Sequence, residues 1–114
     1  MKQQELLAFF DATVSRMRKT MEDKNADYAG ANDENAFANF NLIEAFKVTQ
    51  TEVGFFTRMT DKMARIASFI RKGTLQVKDE SVADTLIDLA NYSILFAAYL
   101  SHKRSKAPGD KKVE

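Results

Sequence analysis

The single proline of this 114-residue chain stands at position 108, so no residue that breaks a helix by its own geometry interrupts the first 107. Glycine occurs only four times and tryptophan never. The long segments in between are rich in Ala, Leu, Met, Lys and Glu, which favour helices, and their apolar residues recur at helical spacing. A strand-rich fold has no place in such a chain, and the expected class is all-α. The hydrophobic content of 45% suits one compact core at this length. The expected organisation is a single helical domain over residues 1–102, followed by a flexible basic tail over residues 103–114.

Four helices can be placed. The first is expected from about Gln4 to Asp23, with Leu6, Phe10, Val14 (and Thr13), Met17 and Met21 on its inner side. The stretch from Lys24 to Asp33 collects Asn, Asp and Gly without apolar periodicity and reads as an irregular connection. A second helix from about Glu34 to Thr49, capped by Asn32 or Asp33, presents Phe37, Phe40, Leu42, Ile43 and Phe46. That aromatic face is either core or a platform on which bases stack. The third helix runs from near Thr51 to near Gly73. Its expected buried stripe is Phe55, Phe56, Met59, Met63, Ile66, Phe69 and Ile70, and Gly73 suits a left-handed cap. Arg58, Asp61, Lys62, Arg65 and Lys72 lie opposite, as an exposed salt-bridge face or as a cationic wall for phosphate oxygens. After a link at Thr74 to Lys78, Asp79 caps a fourth helix that reaches about His102. Short connections between four helices predict an antiparallel bundle.

Charge and cysteine usage exclude several classes of function. A net charge of +1 argues against a dedicated nucleic-acid surface, whose affinity rests on phosphate neutralisation. The five Lys or Arg between His102 and Glu114 make the tail basic and leave the body slightly acidic. With no Cys there is no disulfide framework, thiolate nucleophile or zinc-thiolate site, in keeping with a reducing, cytoplasmic setting. No apolar run is long enough to span a bilayer. His102, the lone histidine, sits beside the tail and is a poor ligand or general base.

The fourth helix strings acids along one side. At about 100° per residue, Glu80, Asp84, Asp88 and Asn91 fall within an arc of roughly 80°. Val82, Leu86, Leu89, Ser93, Phe96 and Leu100 share the opposite face, expected to be core. Consecutive acids four residues apart project from adjacent turns, an arrangement that suits Mg²⁺, which is bound through one or two carboxylates together with waters and phosphates. Two plain structural readings compete with that one. Glu80 favours a helix N-terminus, and a cation such as Lys62 or Arg65 paired with Asp84 or Asp88 would neutralise the stripe without a metal. Beyond Asn91, the all-round apolar segment from Ile94 to Leu100 exceeds the needs of one small bundle, and points to a homodimer or higher homo-oligomer.

Three elements in order, Lys24-x-x-Asp27-Tyr28, then Asp61-Lys62-x-x-Arg65, then Glu80-x-x-x-Asp84-x-x-x-Asp88-Leu89-Ala90-Asn91-Tyr92, with Gly54-Phe55 between the first two, resemble the nucleotide-modification-associated domain family common in phage genomes. The resemblance covers about residues 15 to 100. That family is similar in turn to the all-α nucleoside-triphosphate pyrophosphatases of the MazG and dimeric dUTPase kind. It implies a MazG-like helical bundle that binds a nucleotide with Mg²⁺. In this chain Glu80, Asp84 and Asp88 would hold the metal, Lys62 and Arg65 would meet phosphates, Lys24, Asp27 and Tyr28 would help close the site, and Asn91 would read a base or sugar. The E-E-x-x-E element of those enzymes occurs nowhere in the chain, and only E-x-x-D has a counterpart, Glu80 with Asp84 at one residue wider spacing. The expectation is therefore a nucleotide-directed protein, either hydrolysing a nucleoside polyphosphate or binding without catalysis, and no catalytic residue is assigned. The alternative is a non-catalytic helical binding protein, of a nucleotide or a host protein, whose polar stripe is a structural network.

Overall fold

A computed structural model describes residues 1–29, 36–73 and 81–106. These residues form four helices and no strand: α1 (Gln3–Ala29), α2 (Ala38–Ala45), α3 (Thr51–Lys72) and α4 (Val82–Lys106). The expected caps at Asn32 or Asp33 and at Asp79, together with Glu80 and residues 107–114, lie outside the described residues. The chain divides into two compact units, Met1–Asn39 and Phe40–Glu114.

In the first unit α1 continues to Ala29, through residues expected to be a loop. A polar stretch without apolar periodicity can still be helical, and no Pro or Gly intervenes before Gly30. Ion pairs one turn apart, Arg18 with Glu22 at 3.0 Å and Lys19 with Asp23 at 3.9 Å, line its surface. Leu6, Phe10 and Val14, expected in the core, are exposed.

The second unit is built around stacked rings. Phe40 and Phe55 are its buried apolar side chains among the described residues, with ring centroids 3.9 Å apart and planes within 12°. Phe55 stacks in turn on Phe96 of α4 at 5.0 Å and meets Tyr99 at 5.4 Å, while Tyr92 and Phe40 meet in a T-shaped contact at 6.2 Å. Phe40 therefore belongs to the core reading of the second helix rather than to a stacking platform. α2 is shorter than expected. It closes in a Schellman turn, with Val48 N–H donating to Ile43 O at 3.0 Å and Lys47 N–H to Glu44 O at 2.9 Å, and Lys47 takes the left-handed conformation at φ 60°. Behind it, Ile43 reaches so near α3 that a Cβ on Gly54 would stand 2.8 Å from its Cδ1. α3 ends as its sequence predicts, Gly73 at φ 77° donating its N–H to Phe69 O.

α4 begins later and ends later than expected. Ser81 caps it by accepting the Asp84 N–H at 3.1 Å, and its C-terminal turns continue past His102 to Lys106. The face it turns to α3 also differs. Thr85 and Asn91 are buried, whereas Leu86 and Ile94 are exposed. On α3, Phe56, Met63 and Ile70 are likewise exposed. The cause lies in this aromatic cluster and in two ion pairs between α3 and α4, Glu52 with Lys103 and Lys62 with Asp88, which fix the rotation of each helix and take precedence over the simple apolar stripe.

Candidate functional site

α3 and α4 pack against each other and run antiparallel, as their cross-pairs show: Glu52 meets Lys103 near the start of α3, and Lys62 meets Asp88 two to three turns further along it. Rotation about the Phe55–Phe96 contact brings Lys62 into the interface, because residues 55 and 62 lie two turns apart on one side of α3. The same logic on α4 carries Thr85, Asp88, Tyr92, Phe96 and Tyr99 to the seam. Lys62 Nζ stands 3.2 Å from Asp88 Oδ2, and the two side chains are only 14% and 19% exposed. The D-K-x-x-R and D-L-A-N-Y elements, far apart in sequence, thus touch through their charged members.

The other expected residues are distributed around this contact. Arg65 pairs with Asp61 one turn back at 3.5 Å. Asn91 is buried and Tyr92 half-buried one turn beyond Asp88 on α4. Asp84 occupies the first turn of α4, where a carboxylate is favoured by the exposed N–H groups of the helix end. The backbone of Lys24, Asp27 and Tyr28 is helical within α1, and their side chains lie outside the described residues. Glu80 lies outside them as well, so the expected trio of metal ligands is represented by Asp84 and Asp88 on successive turns. Among the described residues no group of three His, Cys, Asp or Glu converges in a way that could hold a metal ion. Asp88 has an ammonium at contact distance.

A second polar group, at the start of α3, was not anticipated from the sequence. Glu44 Oε2 accepts the Thr51 hydroxyl at 2.7 Å and the Thr51 N–H at 3.0 Å, and Thr51 is itself buried. The Thr51 hydroxyl, and after it the Thr51 N–H, hold the Glu44 carboxyl below its usual value against a smaller opposing effect of burial. Next to it, Lys103 Nζ lies 2.6 Å from Glu52 Oε2. That contact lowers the Glu52 carboxyl and raises the Lys103 ammonium. Asn41, Glu44, Ala45, Thr51 and Tyr99 line a shallow polar cleft of about 290 Å³ here. The one sequence signal for this group was Glu44 standing seven residues before the first residue of α3, across a short turn. Lys103 gave none, since it reads as part of the basic tail.

Chemically, the seam offers an ammonium and a carboxylate side by side in a mostly buried interface. Among the described residues no helix is long and apolar enough to cross a membrane. Residues 24–99 match a family model described as Nucleotide modification associated domain 1. No curated protein and no solved structure matches the chain.

Proposed function

Since the chain belongs to the nucleotide-modification-associated domain family, we propose that it is a nucleotide-directed protein that takes a nucleoside polyphosphate at the α3–α4 seam. The observation that carries this reading is the Lys62–Asp88 contact, in which two separate family elements meet in a mostly buried place. Lys62 and Arg65 would meet phosphate oxygens, as cations of this kind do. Mg²⁺ would enter as part of the magnesium–polyphosphate complex, which needs only one or two protein carboxylates, with Asp84, Asp88 and Glu80 as the acids available to it. Each partner of the Lys62–Asp88 pair would then find an opposite charge in the incoming complex. Asn91 would read base or sugar, and Lys24, Asp27 and Tyr28 would help close the site. A MazG-like antiparallel bundle, a homodimer or higher homo-oligomer, and a cytoplasmic setting complete the proposal. Hydrolysis would break the α–β phosphoanhydride, water supplying the oxygen that joins the α-phosphorus, with a monophosphate and pyrophosphate as products.

The same contact supports a second reading. Lys62 and Asp88 neutralise each other without a metal, and Asp84 is placed where a helix end favours an acid, so the seam also has the composition of a structural network in a non-catalytic binding protein. Calorimetric titration separates the two. Standard and modified nucleoside triphosphates are titrated with and without Mg²⁺ into wild type, Lys62→Met and Asp84→Ala, and pyrophosphate is measured in the same samples. The proposal expects Mg²⁺-dependent binding that both substitutions weaken at least tenfold, and pyrophosphate release would make the protein a hydrolase. If no nucleotide binds and the substitutions only lower the melting temperature, the structural reading stands.

A further inference from the structure

α3 is divided lengthwise into a charged and an uncharged side, and the uncharged side leaves large apolar side chains exposed. At about 100° per residue, Phe56, Thr60, Met63, Ala67 and Ile70 fall within an arc of about 80°. Arg58, Asp61, Lys62 and Arg65 gather on the other side of the helix, so no charge interrupts this arc between Val53 and Ile70. Phe56 is 65% exposed, Met63 56% and Ile70 75%. Alongside, Leu89 and Ser93 of α4 complete an apolar groove of about 420 Å³ with Phe56, Met59, Thr60 and Met63.

The hydroxyls on and beside this surface are already satisfied from within. Thr57 donates to Val53 O at 2.8 Å, Thr60 to Phe56 O at 2.8 Å, and Ser93 to Leu89 O at 2.9 Å. Such a surface can lose its water without leaving a hydroxyl donor unpaired or a charge desolvated. A membrane headgroup, a nucleic acid or a charged peptide would find no counter-charge on it, whereas a like face meets it without repulsion.

We propose that a second copy of this chain covers the face, with α3 lying antiparallel on the partner's α3 about a two-fold axis at Met63. The spacing is self-complementary: Phe56 and Ile70 each lie seven residues from Met63, so the axis that sets Met63 on the partner's Met63 also sets Phe56 on the partner's Ile70, twice. Eighteen residues of α3 extend about 27 Å, and α3 with α4 beside it is about 20 Å wide. The face therefore measures about 540 Å² in projection. Counting the relief of its side chains, it approaches the roughly 800 Å² per partner that stable dimers bury. This inference deepens the homo-oligomer part of the proposed function and does not depend on the nucleotide part.

The chain's lack of cysteine makes the test clean. Helix axes about 8–10 Å apart, less two Cα radii of about 2.3 Å, leave about 3.5–5.5 Å between facing Cα atoms. Much of that range overlaps the reach of a disulfide. The full chain is first examined by sedimentation velocity, then as Met63→Cys and Ile94→Cys variants under mild oxidation, Ile94 being exposed on α4 but away from the groove. A dimer that Met63→Cys converts to a covalent pair within minutes and Ile94→Cys does not is the expected result. Met63→Lys is expected to weaken self-association more than tenfold with helix content unchanged. A dimer that Met63→Cys cannot lock overturns the seam and leaves the oligomer standing. A monomer at all concentrations overturns both, whatever nucleotide binding shows.

Discussion

The contact between Lys62 and Asp88 is the best place to test whether the α3–α4 interface treats its charges as buried. The perturbation is a double-mutant cycle with Asp88→Asn, Lys62→Met and the two together. At 3.2 Å, a pair of unit charges attracts by about 5 kcal/mol at an effective dielectric of 20 and by about 1.3 kcal/mol in bulk water. With the side chains 14% and 19% exposed, the pair belongs between these limits, and the cost of removing both groups from water opposes part of the attraction. A coupling energy of about 2 kcal/mol follows. Each single substitution should cost about 2–3 kcal/mol, because it leaves one charge without its cross-helix partner, and the double variant should cost about 2 kcal/mol less than their sum. Urea unfolding followed by far-UV circular dichroism measures all four corners, at one protein concentration because self-association shifts apparent stability. A coupling energy below about 0.5 kcal/mol, the size typical of exposed pairs, would refute the reasoning that this contact lies in a desolvated seam.

Two further substitutions probe the packing beside that seam. Gly54→Ala should be nearly neutral in the wild type, because a helix-propensity gain of about 1 kcal/mol is offset by displacing Ile43, whose Cδ1 would lie 2.8 Å from the new methyl. In an Ile43→Val background that atom is gone, and the same change should stabilise by about 1 kcal/mol in urea unfolding; an equal effect in both backgrounds would deny the contact. Glu44 has a folded-state pKa lowered from 4.5, so its contribution to stability is present above the unfolded value and disappears as pH falls through the folded one. Melting temperatures between about pH 6 and pH 3 should therefore fall less steeply in Glu44→Gln than in wild type, and parallel profiles would remove Glu44 from the account of the α3 terminus.

Helix content was legible because composition and period are local properties, and so was the end of α3, where Gly73 follows two cations. Rotation of the helices was not legible. The sequence of α4 sets Val82, Leu86, Leu89, Ser93, Phe96 and Leu100 on one side, and an apolar stripe ordinarily faces the core. The structure turns Leu86 outward and buries Thr85 and Asn91, because stacked rings at Phe55 and Phe96 and the Lys62–Asp88 pair fix the register from residues on both helices. No single-helix pattern contains that information. The end of α2 was hidden for a related reason: Lys47 at φ 60° takes a conformation that sequence normally assigns to Gly or Asn. The first described acid of the candidate stripe changed meaning with its helix. Once Ser81 caps α4, Asp84 is a first-turn residue and part of its placement needs no ligand.

What separates a ligand site from a packing device at this seam is the energetics of its charges. Well-packed apolar side chains of similar volume would usually hold two helices together at least as well as a mostly buried ion pair. Lys62 and Asp88 share their interface with Phe55, Phe96 and Tyr99, which already supply apolar and aromatic contacts in abundance. Packing alone thus gives little reason to place an ammonium and a carboxylate there. A ligand that carries both negative phosphates and a divalent cation gives one, since it presents an opposite charge to each member of the pair. If the double variant Lys62→Met with Asp88→Asn stays folded, with its helix content unchanged, but no longer binds nucleotide, the pair serves the ligand; if it binds as before, the pair serves only the fold.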